Sequence, residues 1–244
     1  MKSFFIKSAV VGLLGAATLP AGAADLHAGD IELSVTFGAL GVGGYHELEY
    51  GTGIPIFEGA LNTLLAGPSG PRWRGTNPGF DSEAGTFQVT DVVNVRPVVA
   101  GTGLDFWNGS SWQDLMPRNE TLELRDTLDE TAIFDSVGFT QSADFQGAMW
   151  PEPDGAIHQH FTFTLSDSPS GLPGPTMGAY RILLQASSPN YAPSTPFYIV
   201  FNRGLGEEQF EEAIHAMAVP EPGTYAMLGL GLGVIAMVAR RRKA

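Results

Sequence analysis

Ile157-His158-Gln159-His160-Phe161-Thr162-Phe163-Thr164-Leu165 sets the period of the chain. From Phe161 onward, large apolar residues alternate with threonine. On a β-strand, residues two apart project to the same face. The stretch therefore predicts one strand. Ile157, Phe161, Phe163 and Leu165 face a core, and His158, His160, Thr162 and Thr164 face away from it.

The same period recurs on both sides. Gly29 to Phe37 alternates in this way and predicts a strand, which the glycines at 38, 41, 43 and 44 then break. Tyr45-His46-Glu47-Leu48-Glu49-Tyr50 predicts a second strand. Residues 51–85 are rich in Gly, Pro and Asn and read as loop. Strands follow over Thr86–Val99, Leu122–Leu124, Ala132–Phe134, Ala179–Ala186 and Pro196–Phe201. Asn108-Gly109, between Asp105-Phe106-Trp107 and Trp112, predicts a type I′ hairpin turn. Glu207–Met217 reads as helix, with Phe210, Ala213, Ile214 and Met217 on one face and two glutamates in its first turn. Many short strands, turn signals between them and one late helix predict an all-β body, a β-sandwich or jelly roll.

The termini carry different chemistry. Met1 to Lys7 is basic, Ala9 to Leu19 is apolar, and Ala21-Gly22-Ala23 is a small-x-small cleavage site. That order is a secretory signal peptide over residues 1–24, and it predicts a signal helix handled by signal peptidase. At the other end, Pro220-Glu221-Pro222 forbids helix. An uncharged run, Thr224 to Ala239, comes next, and Arg240-Arg241-Arg242-Lys243 closes the chain. As a helix the run spans roughly 24 Å, slightly short of a ~30 Å hydrocarbon core, so it crosses untilted with its arginines snorkelling. The basic cluster stays on the cytoplasmic side. The expected division is residues 1–24, an all-β extracellular domain at 25–218, and a sorting segment at 219–244.

Charge and composition narrow the function. Six of the 13 basic residues lie in the two terminal segments, so seven arginines remain in the body against 25 acids, a formal charge of −18. The body has no lysine. Such a surface repels nucleic acid and attracts cations. The chain has no cysteine, which excludes disulfides, thiolate metal sites and thiol nucleophiles. A Gly-x-Ser-x-Gly elbow and a phosphate-binding Gly-Lys loop are both missing.

His158 and His160 are the residues with the most specific chemistry. Two imidazoles on one strand face, about 7 Å apart along the strand, can converge on a divalent cation such as zinc, given one or two further N or O donors. His27 and His46 are the candidate partners, and His215 lies on the helix away from Phe210. The same pair also fits a solvent-facing polar stripe. Trp73, Trp107, Trp112, Trp150 and Tyr191 lie near loop signals, where rings can stack on sugar or pack in the core.

The tail, on Pro220-Glu221-Pro222, the apolar run and Arg240 to Lys243, resembles the PEP-CTERM sorting signal. That resemblance implies recognition by an exosortase, export in a Gram-negative bacterium, transient anchoring in the inner membrane, and delivery to the cell surface or exterior. It also implies an association with exopolysaccharide. Pro78-Gly79-Phe80-Asp81, Phe106-Trp107-Asn108-Gly109, His158-Gln159-His160-Phe161, Gly178-Ala179-Tyr180 and Pro196 to Asn202 are similar to a family of secreted PEP-CTERM proteins. Some members of it are repressed by the zinc-uptake regulator, which implies a zinc-linked role. The His-x-His pair is also similar to the cupin metal motif, but no Glu follows within five residues of His160. The expected function is a non-catalytic, surface-sorted, cation-binding protein. The alternatives are a matrix or carbohydrate-binding protein and a cupin-like metalloenzyme.

Overall fold

The computed structural model describes residues 29–44, 54–67, 70–98, 102–167 and 174–218. In chain order the strands are β1 (Ile31–Thr36), β2 (Ala39–Gly43), β3 (Ile56–Ala60), β4 (Thr63–Leu65), β5 (Arg72–Gly75) and β6 (Phe80–Asp81). They continue with β7 (Val93–Pro97), β8 (Asp105–Trp107), β9 (Trp112–Gln113), β10 (Thr121–Arg125), β11 (Thr131–Asp135) and β12 (Gly138–Gln141). The last are β13 (Ala148–Met149), β14 (His158–Gln159), β15 (Thr162–Ser166), β16 (Gly178–Ser187) and β17 (Phe197–Arg203), followed by helix α1 (Glu207–Ala218). The predicted signal helix, the strand at 45–50 and the C-terminal transmembrane helix lie outside the described residues. Among the described residues, no helix is long and apolar enough to cross a membrane.

The strands form a sandwich-like body. One sheet has the order β12-β11-β10-β15-β5-β4, and a second runs β13-β7-β16-β17-β3, with the β8–β9 hairpin attached to β16. Period-two patterning brings them together. Leu122 and Leu124 of β10 and Phe163 and Leu165 of β15 share one buried cluster with Ile182 and Leu184 of β16 and Ile199 and Phe201 of β17. The Phe163 and Phe201 rings meet with centroids 4.6 Å apart. Each such side chain contributes about 1.5–3 kcal/mol of burial, and a ring pair adds about 1 kcal/mol.

The alternate residues of β16 and β17 serve a second, smaller core. Ala179 and Val200 face outward and are covered by Phe210, Ala213 and Ile214 of α1. The helix is tied down further by the Trp112 indole N–H, which donates to the Ala213 carbonyl at 2.9 Å. The helix expected at 207–217 is therefore present, its apolar stripe laid on the outer face of the second sheet.

Several expectations change. The stretch 157–165 is not one strand. It splits into β14 and β15, which belong to different sheets, because the chain crosses between sheets at His160 and Phe161. Buried Phe161 makes that crossing the corner of the core, with its ring 5.3 Å from Phe80. Thr164, expected on the exposed side, is 4 % exposed. It sits in a row between Arg74 and Glu123, whose longer side chains flank it. The strand over 86–99 shrinks to Val93–Pro97, and Val89 is exposed. The loop-like region 51–85 holds β3 to β6 instead.

The turns also trade places. Asn108-Gly109 is part of a four-residue loop between Trp107 and Trp112, where the Asn108 carboxamide oxygen accepts the N–H groups of Ser110 and Ser111. That local bonding replaces the tight turn. The two-residue hairpin loop with both residues at positive φ is Phe37-Gly38, joining β1 to β2. Accordingly, glycines 41 and 43 extend β2 rather than end it.

Asp91 closes a further joint. It is 2 % exposed and accepts from the Gln88 N–H, the Asn190 amide and the Tyr191 hydroxyl. Burial alone would raise its pKa, but the three hydrogen bonds outweigh burial and hold the carboxyl below its ordinary value.

Candidate metal centre

The third sheet builds the site. Its order is β14-β6-β1-β2, with β1 parallel and β14 antiparallel to β6. Across β1, β6 and β14 the Cα partners are Ile31–Phe80–Gln159 and Glu32–Asp81–His158. One step further along, the Ile31 N–H bonds the Gly79 carbonyl, so Asp30, Gly79 and His160 extend the same grid. Side chains alternate between faces. Ile31 and Phe80 point into the core. Asp30, Glu32, Asp81, His158 and His160 therefore share the outer face, and Gly79 leaves a gap among them.

His160 fills that gap. Its ring lies against Gly79, where an added Cβ would fall 2.5–2.8 Å from three ring atoms. Its Nδ1 is 3.0 Å from the Thr76 carbonyl. A carbonyl only accepts, so Nδ1 carries the proton, and in the neutral ring Nε2 carries the lone pair. That nitrogen stands 3.5 Å from Asp30 Oδ2.

Asp30 is 7 % exposed. Its Oδ1 accepts the Gly79 N–H at 2.8 Å, while Oδ2 is buried with no hydrogen-bond partner among the described residues. Two electron-pair donors thus face each other across a short gap. Such a contact calls for a cation between them, either a proton on Nε2 or a metal ion.

His158 supplies a third donor. Its ring is 5.2 Å from that of His160, at 72°. One donor atom from each of Asp30, His158 and His160 lies within 4.8 Å of the other two. Tetrahedral zinc with bonds of about 2.0–2.1 Å puts its donors roughly 3.3 Å apart. The Asp30–His160 pair is already near that spacing, and a shift on the order of 1.5 Å by exposed His158 would bring the third donor toward it. Asp81, 8 % exposed, holds an oxygen 3.7 Å from His158 Nδ1.

The structure brings together the predicted pair His158 and His160. His215 lies elsewhere, exposed on α1 beside Glu211. His27 and His46 lie outside the described residues. Sequence reasoning missed Asp30 and Asp81. Asp30 sits in the polar phase of the first strand, and Asp81 lies in a stretch that reads as loop.

The aromatic candidates are mostly committed to packing. Trp107 is buried against Trp112, Trp112 and Trp73 lie under Arg181 and Arg203, and Tyr191 bonds Asp91. Trp150 is 39 % exposed.

The tail is where a family model matches the chain. Residues 218–243 match the PEP-CTERM protein-sorting motif. That match supports a PEP-CTERM protein, exported with a C-terminal sorting signal, and it implies processing by an exosortase. It leaves the β-rich body unassigned. No curated protein matches the chain. Among solved structures, the collagen binding subdomain ACE19 of the Enterococcus faecalis surface protein ACE is similar at 10 % identity, over 60 % of this chain and 94 % of that one, with a TM-score of 0.22. At that score the likeness carries no argument.

Proposed function

We propose that this is an exported, surface-sorted, non-catalytic protein that holds a divalent cation, zinc foremost, through Asp30, His158 and His160. The observation that carries the reading is the buried, unpartnered Oδ2 of Asp30 facing the lone-pair nitrogen of His160. The donor set of two imidazoles and one carboxylate suits zinc and neighbouring transition metals better than magnesium or calcium, which favour all-oxygen shells. The acidic, lysine-free body raises the local cation concentration.

The test is metal content of the purified full-length chain, followed by zinc titration with a thermal-shift readout. Zinc at a hundredfold excess over Kd should stabilise the fold by about 2.7 kcal/mol. The double variant His158→Ala/His160→Ala should lose both the metal and the shift. A wild-type protein with neither bound metal nor a shift removes the reading. Retention on polysaccharide gels by such a metal-free protein would favour the carbohydrate-facing alternative, with Trp150 as its exposed ring. Metal-dependent turnover of a small substrate would favour the metalloenzyme.

A further inference from the structure

Asp81 decides whether a cation on this face is enclosed or left within reach of other molecules. Its Oδ1 accepts the Ser82 backbone N–H at 2.8 Å, and its Oδ2 stands 3.7 Å from His158 Nδ1. Oδ1 is thus engaged by the backbone, and Oδ2 stands at ion-pair distance from the ring, outside the group of three donors that lie within 4.8 Å of one another. A carboxylate placed behind an imidazole in this way orients the ring and raises its basicity rather than ligating the metal. The direct donors are then three, and a cation that takes four or more keeps a position open.

The open side faces water. The Asp30 side chain is 4 % exposed, whereas those of His158 and His160 are 37 % and 32 % exposed. The buried flank of the cation is thus the carboxylate, and the outer flank is two imidazole edges. Gly79 lies beneath the His160 ring, so the sheet itself adds no side chain beyond the two imidazoles on that outer side. Half-buried Glu32 continues the same face and adds negative charge, so an anion has no reason to come here unless the cation is present.

We infer that the cation keeps an open coordination position that accepts small oxygen-donor chelators, carboxylates and hydroxamates, and that Asp81 is a positioning residue for His158. This rests on the cation site proposed above. The site then acts as a docking point for oxygen ligands that the bare acidic surface would repel.

Cobalt(II) makes the position visible, because its absorption spectrum changes with coordination number and ligand type. The full-length chain in detergent is loaded with cobalt(II) and titrated with acetohydroxamate. Wild type should give a saturable spectral change. Asp81→Asn should bind cobalt about tenfold more weakly and still respond to hydroxamate. A cobalt-loaded wild type whose spectrum does not move, with Asp81→Asn responding, makes Asp81 a fourth ligand and overturns the inference. Unchanged cobalt affinity in Asp81→Asn overturns the positioning role. Failure of wild type to bind cobalt is read before any hydroxamate is added and removes the cation site itself.

Discussion

The His160 ring occupies the space that a side chain at position 79 would fill. A Cβ there would lie 2.5 Å from one carbon of the ring, too close for any rotation of the methyl group to relieve. The neighbour is a side chain rather than backbone, so the ring, not the sheet, must give way. Gly79→Ala should fold and should lose its zinc-induced thermal shift. Isothermal titration should show affinity at least about tenfold weaker, as for other changes that misplace a ligand. Unchanged affinity would mean that the ring does not need this pocket to bind.

Asp91 gives a pH dependence with a defined sign. Its folded-state pKa is depressed, so it contributes stability that is present above the ordinary carboxylate range of about 3.9 and is lost as pH falls through the lower folded value. Tyr191→Phe removes one of the three donors. The variant should be destabilised by about 1.5–3 kcal/mol at neutral pH, and the difference should shrink in acid, where the carboxyl is protonated in both proteins. Urea unfolding at pH 7 and below pH 3 measures it. A difference independent of pH would mean that the hydroxyl's contribution does not depend on the charge of Asp91.

The joint between the two large sheets is tested at Phe163. The residue is fully buried, and its ring meets Phe201 across the sandwich. Phe163→Ala should cost about 3–5 kcal/mol in urea unfolding. A cost below 1 kcal/mol would show that the sheets are not held by this contact.

The tail makes a prediction separate from the body. Deleting Pro220-Glu221-Pro222 from the matched motif should leave the protein retained in the inner membrane, read by fractionation and blotting. Unchanged release would count against the sorting signal.

Strands with strong alternation were legible in the sequence. β10, β16, β17 and the stripe of α1 lie close to where period and composition put them, since each carries its own buried residues. The short strands β3 to β6 were not, because runs of two to five residues set among glycines and prolines become strands only through their partners. Phe37 at a φ of 52° has no propensity signal at all, and it holds the tight turn that the Asn108-Gly109 pair predicts for its own hairpin. The histidine pair was legible from its spacing. Asp30 was not, because its place beside His160 depends on the register of β1 and β14 on β6, and nothing local encodes that register.

The proposed donors come from chain segments far apart in sequence, brought side by side by pairing on β6, a strand of two residues. An extended polypeptide threading a translocation pore keeps His158 and His160 two residues apart but holds Asp30 far from both, so the three-donor set does not exist there. On the proposed reading, loading would wait for folding on the far side, and the ion taken up would be the one that the outer milieu supplies.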